Sequence, residues 1–338
     1  MEHGYGQTAV IHPPGGSLCG APLQSNQTMI QYLYLGRVDY GEALCIQEKL
    51  VALRTAGRIG NVLLLLEHPP VLTLGRNANR SNILASDELL ERRGVTLHEI
   101  NRGGDVTYHG PGQLIGYPIF DLRSLRSPAG NRLGPVDFVR LMEEALIRLC
   151  GEFGVPAGRI CGLTGVWCRL RWGHLQCGRP LDESCGTEDK DAPLGERKIA
   201  AIGIHVARGV TSHGFAFNVT TDLRGFTLIN PCGITNRPVT SLENEIAGPN
   251  SLPTLESLAH SAARQFGQVF DQQVEFVESL AALRAQAQAS AERTPEPPAP
   301  AAPDPDLPAP EFPAEDTPLQ IPPEIERLRQ RKDRPVSA

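Results

Sequence analysis

The 338-residue sequence predicts an α+β fold. Apolar runs of strand length recur between residues 29 and 285, and three longer segments have the features of helices. The strands follow one another without strict alternation with helices. This order is more typical of an α+β fold than of a doubly wound parallel sheet.

The first elements are predicted from residue 29 onward. The alternating segment MIQYLYLG is typical of a strand. The next segment, DYGEALCIQEKLVALRTAG, is typical of a helix, with Asp39 and Glu42 in capping-box spacing and Gly57 at its end. The continuous apolar run NVLLLLEH is short enough for a buried strand. Pro69 and Pro70 interrupt it before VLTLG resumes.

The middle of the chain continues this pattern. Strands are predicted for GVTLHEI and DVTYHG, joined by NRGG, and QLIGYPIFDL is predicted to continue the same sheet. The segment GPVDFVRLMEEALIRLCGEFG has apolar residues at helical spacing, namely Val136, Val139, Met142, Leu146, Leu149 and Phe153. A hairpin through Arg208-Gly209 is predicted from KIAAIGIHV and TSHGFAFNV. The helix TLESLAHSAARQFGQVF and the strand QQVEFV come last.

Composition predicts one domain, residues 29–285, with an extension at each end. Residues 1–28, rich in Gly, Pro, Ser and Gln, are predicted to be disordered. Residues 286–338 hold 13 of the 29 prolines and a net charge of −4, so they are expected to form a disordered acidic tail. Residues 168–195 lack clear periodicity and are predicted to be an irregular insert.

Charge and hydropathy argue against two classes of partner. The formal charge is −6, most of it in the tail, and no basic stripe with aromatic residues occurs, so nucleic-acid binding is not expected. No run of 18 apolar residues exists that would span a membrane. The N-terminus, MEHGYGQTAV, lacks the segments of a signal peptide. We therefore expect a cytoplasmic protein whose eight cysteines are mostly free thiols.

Glycines cluster in NRGGDVTYHGPGQLIGYP. Gly103-Gly104 and Gly110-Pro111-Gly112 allow the backbone to approach a ligand, although two tight turns explain them equally well. The pattern matches neither a P-loop nor a Rossmann fingerprint. His109 and His213 each precede a glycine. They are candidates for proton carriers, with a structural role as the commoner alternative.

The segment LINPCGITNRPVTSL places Cys232 between a proline and a glycine. A thiol with a pKa of about 8.5 is only a few per cent ionised at neutral pH. An ammonium group about 4 Å away, at an effective dielectric near 20, favours the thiolate by up to ~4 kcal/mol. Lys198, which opens KIAAIGIHV, is the candidate for that role. It acts either as this electrostatic activator or, when neutral, as a general base.

A metal site is not predicted. The insert offers Cys168, His174, Cys177 and Cys185, with Cys161 nearby. Six to eight residues separate successive cysteines, unlike the short CxxC knuckles of structural zinc sites.

Taken together, the segments RGGDVTYHGPGQLIGYP, GVW, KIAAIGIHV, SHGFAFNV and INPCGI resemble the lipoyl(octanoyl) transferase family. They occur in the family's order between residues 30 and 277, and the 34-residue step from Lys198 to Cys232 also agrees with the family. The resemblance implies a mixed sheet with flanking helices, related to the biotin and lipoate protein ligases. It implies no cofactor.

The resemblance also implies roles for particular residues. Cys232 corresponds to the family's acyl-thioester cysteine, and Lys198 corresponds to the lysine that lowers its pKa. Three segments correspond to the family's substrate-contacting residues, which are here Arg102, Gly103, Gly104, Asp105, Val106, Thr107, Tyr108, His109, Ala201, Ile202, Gly203, Gly214, Phe215 and Ala216.

The implied reaction moves an octanoyl group from octanoyl-acyl carrier protein to a lipoyl-domain lysine through a thioester on Cys232, without ATP. The implied acceptors are the apo lipoyl domains of 2-oxoacid dehydrogenase E2 subunits and the glycine cleavage H protein. Three alternatives stay open. They are an ATP-dependent lipoate or biotin ligase, which would not require Cys232, a catalytically silent binding or scaffold module, and a cysteine hydrolase that releases octanoate.

Overall fold

The structure, a computed structural model, describes residues 29–127, 130–169, 195–230, 238–246 and 252–293. Its strands are β1 (Ile30–Arg37), β2 (Asn61–Glu67), β3 (Val71–Leu74), β4 (Thr96–Glu99), β5 (Val106–His109), β6 (Gln113–Ile119), β7 (Ala157–Ile160), β8 (Leu163–Arg169), β9 (Glu196–Ala207), β10 (Val210–Asn218) and β11 (Val274–Phe276). Its helices are α1 (Tyr40–Thr55), α2 (Asp87–Arg92), α3 (Pro135–Glu152), α4 (Leu242–Glu245), α5 (Leu255–Phe270) and α6 (Leu280–Arg293).

Eight strands form the main sheet, in the order β11-β1-β2-β6-β10-β9-β8-β7. The pairs of β1 with β11 and β2 are parallel, and all the other pairs in this sheet are antiparallel. The sheet is therefore mixed, as an α+β fold allows.

Strand β2 is buried on both faces, which explains its continuous apolar run. Leu63 and Leu65 belong to the core on one face of the sheet, and Leu64 and Leu66 belong to the core on the other face. A strand covered on both sides needs no polar alternation. The prediction of a buried strand from NVLLLLEH is thus confirmed.

Helices cover both faces of this sheet. Helices α3 and α5 supply Met142 and Phe266 to the first core, whereas α1 and α6 supply Leu50 and Leu283 to the second. The predicted apolar face of α3 is partly wrong, because Val136 is 71% exposed. The buried face of α3 is turned toward Phe138, Met142, Ala145, Leu146 and Leu149 instead.

The glycine-rich region does not form the single sheet that the sequence predicts. Strands β4 and β5 both pair with β3, which lies between them, so NRGG is not a hairpin turn. The next strand, β6, leaves this small sheet and joins the main sheet. Local apolar pattern specifies strands but not the partner of each strand, which explains the error.

The predicted hairpin of β9 and β10 is present. Its turn residues Arg208 and Gly209 both have positive φ, 51° and 82°. Two consecutive residues of this kind are typical of a type I′ turn, whose twist matches that of antiparallel strands. This hairpin brings the two motifs KIAAIGIHV and SHGFAFNV into direct cross-strand register.

Two predicted segment boundaries differ from the structure. Strand β8 extends to Arg169 and contains the buried Cys168, so the irregular segment cannot begin at 168. Helix α6 runs to Arg293, with Ala287 buried, so the fold continues past residue 285. Residues 1–28, 170–194 and 294–338 lie outside the described residues. No described helix has the length and apolar character of a membrane span.

The central sheet leaves no space for a side chain at Gly214. A Cβ added there would lie 2.1 Å from the backbone oxygen of Gly116, so Gly214→Ala is expected to destabilise the protein by more than about 2 kcal/mol. Gly151, in α3, provides the control. Its added Cβ would meet nothing within 4 Å, and Gly151→Ala should stabilise the helix by about 0.5–1 kcal/mol. Urea unfolding measures both effects, and similar free energies for the two variants would contradict the packing described.

Candidate active site

Lys198 is the third residue of β9. At this point the edge of β9 that faces away from β8 changes its hydrogen-bonding partner. From Ala200 onward this edge of the strand pairs with β10, but at Lys198 it pairs with residues 238–240. The Lys198 amide donates to the Pro238 carbonyl at 2.9 Å, and the Thr240 amide donates to the Lys198 carbonyl at 2.9 Å. Residues 238–240 directly follow the segment that contains Cys232, so the sheet fixes where that segment ends.

Cys232 itself lies in residues 231–237, outside the described residues. The described chain before this segment ends at Asn230, whose amide donates to the Asn82 carbonyl at 2.7 Å. The Asn82 side chain in turn donates to the carboxylate of Asp105. Asn230, before the Cys232 segment, is therefore held through Asn82 by Asp105 of the RGGD loop (residues 102–105). Pro238 and Thr240, after the segment, are held by the backbone of Lys198.

The side chain of Lys198 lies against strand β8. Its Nζ is 5.1 Å from the centroid of the Trp167 ring. Gly165, two residues before Trp167, has a φ of +123°, and a Cβ there would lie 2.6 Å from Lys198 Cε. Glycine is required at 165 because of this backbone conformation and because a Cβ would also lie 2.5 Å from the Ala200 backbone oxygen.

The three predicted substrate segments meet around β9. Gly203 pairs with Gly214, Ile202 with Phe215, and Ala201 with Ala216. The Gly103 amide donates to the Ile204 carbonyl at 2.9 Å, which places the RGGD loop over the same part of the strand.

Within the 102–109 segment, the side chains separate into two groups. Val106 and Tyr108 are buried in the core of the small sheet, where Tyr108 packs edge-on against Phe226, so these side chains point away from β9. Arg102 instead donates to the carbonyl of Thr73 at 2.8 Å, and its Cδ would lie 3.3 Å from a Cβ on Gly203. Arg102 therefore ties the loop to β3 by hydrogen bonds and packs its stem next to Gly203 of β9.

Two surface clefts occur elsewhere on the described structure. One, of about 320 Å³, includes Arg76 and Arg80, and the other, of about 400 Å³, includes Tyr108 and Arg224. Neither is lined by Lys198 or by residues 201–203. The candidate site is therefore defined by the contacts of Lys198 and not by either of these clefts.

A family model described as the lipoyl protein ligase A/B catalytic domain matches residues 39–267. The octanoyltransferase of Acidobacterium capsulatum is 57% identical to the chain over 252 residues, which cover 74% of this chain and 94% of that protein. The chain belongs to the octanoyltransferase family. The octanoyltransferase of Koribacter versatilis is 52% identical, over 75% of this chain and 88% of that protein.

Solved structures resemble the fold at much lower identity. The bipartite lipoate protein ligase studied with its E2 lipoyl domain from Thermoplasma acidophilum gives a TM-score of 0.51 at 16% identity, over 78% of this chain and 93% of that chain. A lipoate-protein ligase A bound with ATP gives 0.50 at 14% identity, over 78% and 95% of the two chains. These likenesses confirm the predicted ligase-like α+β fold. Membership of the octanoyltransferase family makes the protein an acyltransferase.

Three histidines of the described structure, His68, His109 and His213, are buried. Burial lowers the pKa of His109 to about 3 and the pKa values of His68 and His213 to about 4. His109 donates through Nδ1 to the Gln113 side chain at 2.8 Å, and His213 lies 2.7 Å from Asn101 through Nε2. Neutral, hydrogen-bonded imidazoles favour the structural alternative for His109 and His213 over the proton carrier.

The cysteines that the structure describes differ sharply in their reactivity. Burial raises the pKa of the Cys150 thiol well above its usual range and that of Cys168 to about 12, so both are poor nucleophiles. Cys45 and Cys161 are exposed. No group of three metal-capable side chains occurs among the described residues. His174, Cys177 and Cys185 lie outside them.

Sequence reasoning missed three residues that shape this site. It quoted GVW as a motif but gave Trp167 no role, and it singled out neither Asn82 nor Glu143. Glu143 is a fully buried carboxylate on α3 that accepts from the Gly165 amide at 2.9 Å. An acidic residue on the apolar face of a helix was the signal available for Glu143. Asn82 carried no comparable signal.

The buried histidines predict a loss of stability on acidification. Because His68, His109 and His213 have depressed pKa values in the folded state, the unfolded chain binds more protons once the pH falls below about 6.5. The stabilising contribution of the three neutral histidines is present above that pH and is lost as the pH falls. Each histidine should cost about 1 kcal/mol between pH 7 and pH 5.5, measured by urea unfolding.

The variant His213→Asn isolates one of these contributions. Asparagine tolerates the left-handed backbone at this position, where φ is 54°, and it does not titrate. The variant should therefore lose about 1 kcal/mol less than the parent over the same pH interval. An identical loss in the two proteins would show that His213 does not contribute.

Proposed function

We propose that the protein transfers an octanoyl group from octanoyl-acyl carrier protein to a lysine of a lipoyl domain, through a thioester on Cys232. The observation that carries this proposal is the pairing of the Lys198 backbone with Pro238 and Thr240, immediately after the Cys232 segment. This pairing ties the predicted activating lysine to the predicted nucleophile's segment through two hydrogen bonds. Membership of the octanoyltransferase family supports the same reaction.

In the first step, the Cys232 thiolate attacks the carbonyl carbon of the octanoyl thioester on the carrier's phosphopantetheine. A new carbon–sulfur bond forms to Cys232, and the bond to the pantetheine sulfur breaks. The departing thiolate takes a proton, for which the Lys198 ammonium group is the donor. The products are octanoyl-Cys232, a neutral Lys198 and the free carrier thiol.

In the second step, the neutral amine of an acceptor lysine attacks the octanoyl-Cys232 carbonyl. The carbon–nitrogen bond of the amide forms, the bond to Cys232 breaks, and Lys198 takes the proton that the amine loses. This restores the thiolate and the ammonium group. Because the donor is already a thioester, the reaction needs no ATP, in contrast to a ligase that activates a free acid.

The proposed acyl-binding surface lies on β9 and β10. The pairs Gly203 with Gly214 and Ala201 with Ala216 place four small residues side by side in the centre of the sheet. Neighbouring carbonyls fill the space over the two glycines, so the proposed room for a ligand lies beside the half-buried Ala201. Each methylene of an octanoyl chain buried there would contribute about 0.8 kcal/mol. Ala201 is three residues, or roughly 10 Å, from Lys198 along the strand.

Backbone amides near Gly203 or in the Cys232 segment are the proposed donors to the oxyanion that forms in each step. A single such donor is typically worth about 10²–10³ in rate.

The proposed donor is octanoyl-acyl carrier protein. The proposed acceptors are the apo lipoyl domains of 2-oxoacid dehydrogenase E2 subunits and the glycine cleavage H protein. The lipoate protein ligase of Thermoplasma acidophilum, which shares the fold, was studied together with an E2 lipoyl domain. An apo lipoyl domain is therefore the acceptor to test first.

Intact-mass analysis tests the thioester. After mixing with octanoyl-acyl carrier protein, the protein should gain the mass of one octanoyl group, located on Cys232 by peptide mapping and removed by hydroxylamine. The Cys232→Ala variant should gain nothing, whereas Cys45→Ser and Cys161→Ser, which change exposed thiols, should react like the parent.

Three outcomes would contradict the proposal. A parent that gains no mass excludes the thioester. Free octanoate as the main product indicates a hydrolase. ATP-dependent acylation of a lipoyl domain that survives Cys232→Ser indicates a ligase.

A second measurement tests the role of Lys198. The pH midpoint of Cys232 alkylation should rise by about one unit or more in Lys198→Ala, because an adjacent cation stabilises the thiolate. Lys49→Ala is the matched control, since it removes an exposed lysine on α1. Its alkylation profile should match that of the parent. Equal midpoints for Lys198→Ala and the parent would exclude Lys198 as the activator.

A further inference from the structure

Trp167 and Lys198 are direct partners across two antiparallel strands. The register of β8 and β9 pairs Trp167 with Lys198, and a one-residue irregularity separates this pair from the next, Val166 with Ala200. Side chains opposite one another in this way lie on the same face of a sheet. The Lys198 ammonium nitrogen lies over the indole at 5.1 Å from the ring centroid, within the range of a cation–π interaction.

The ring is also well shielded from water. Trp167 is only 1% exposed, so its π face acts in a largely desolvated environment, where attraction to a cation is strongest. The position of the lysine stem is set by Gly165, which leaves the space that Lys198 Cε occupies. Glu143 holds the amide of Gly165 at 2.9 Å. Glu143 of α3 therefore fixes the backbone of Gly165, which lies next to the Lys198 stem.

Two carboxylates on helices next to this pair are bound to arginine side chains. Glu143, on α3, binds Arg140 at 2.7 Å and Arg159 at 3.1 Å. Glu245, on α4, binds Arg197 at 2.8 Å, and the same Glu245 accepts from the Thr240 hydroxyl. The buried Cys168 thiol on β8 stays protonated because its pKa is raised to about 12. Paired charges of this kind exert a weaker field on their neighbours than unpaired carboxylates would.

We propose that Trp167 is a positioning residue that keeps Lys198 in its ammonium form in the resting enzyme. This inference rests on the proposed function, and it resolves the question that the sequence left open. The negative face of the indole attracts the charged lysine and not the neutral one. Lys198 therefore begins the cycle as an electrostatic activator and proton donor, and becomes a proton acceptor only after the first step has taken its proton.

Fluorinated tryptophans test this inference without changing the packing. The chain has two tryptophans, Trp167 and Trp172, so Trp172→Phe leaves Trp167 as the only site of incorporation. Mono-, di- and trifluorotryptophan progressively weaken the negative potential of the ring at nearly constant size. The same analogues in Trp167→Phe, which retains Trp172, form the matched control. Melting temperatures check that every protein is folded.

The readout is the pH dependence of single-turnover acylation of Cys232 by octanoyl-acyl carrier protein. Its alkaline limb reports loss of the Lys198 proton, because the leaving thiolate then lacks its proton donor. Each fluorine should move this limb to lower pH by a few tenths of a unit, for a total of roughly one unit, since a weaker cation–π interaction favours the neutral amine. The melting temperature should not follow the same trend.

An alkaline limb that stays fixed through the series, or that moves equally in the Trp167→Phe control, overturns the inference. Failure of the proposed function gives a different result. In that case the Trp172→Phe protein with ordinary tryptophan gains no octanoyl group on Cys232, and neither does the parent chain. If acylation is normal and depends on Lys198 while fluorination has no effect, the proposed role of Trp167 is wrong and the proposed function stands.

Discussion

Strand β9 is the element on which the arrangement of this site depends. It carries Lys198 near its start and Ala201, Ile202 and Gly203 farther along, and its backbone pairs in turn with residues 238–240 and with β10. Because side chains alternate between the faces of a strand, a slip of one residue would turn Lys198 away from Trp167. Correct register is therefore as important to the proposed chemistry as the identity of the lysine.

Polar side chains, rather than apolar packing, fix the loops next to this strand. Asp105 holds Asn82, and Asn82 holds Asn230, the last described residue before the Cys232 segment. On the far side, Gln113 donates to Asn218 at 2.9 Å, and Asn218 donates to the Thr240 carbonyl at 2.9 Å. Gln113 and Asn218 are buried, so breaking either of these last two hydrogen bonds would leave an unpaired polar group, and the network favours one geometry.

Much of the fold could be predicted from the sequence because its signals are local. The apolar run of β2, the N-cap at Asp39 and the turn at Arg208-Gly209 each follow from a few neighbouring residues. The partner of each strand could not be predicted in this way. Whether β5 pairs with β4 or with β3 depends on contacts between residues far apart in the chain.

The same distinction applies to the site. The motifs indicated Lys198, Cys232 and the three glycine-containing segments, and the structure brings the segments together around β9. Trp167 and Asn82 could not be found from pattern alone, because their roles come from cross-strand register and from a loop contact. Val106 and Tyr108 show the converse, since they belong to a quoted motif but are buried in the small-sheet core.

The paired glycines at 203 and 214 also limit how this enzyme could be re-engineered. An added Cβ would lie 2.8 Å from the Gly103 oxygen at the first position and 2.1 Å from the Gly116 oxygen at the second. Randomising these two codons cannot alter acyl selectivity usefully. Glycine has no side chain that could be shortened, and the neighbouring carbonyl oxygens would clash with any larger residue. At the proposed acyl-binding surface, substitutions that alter selectivity have to be made at Ala201, at Ala216 and at the residues that surround them.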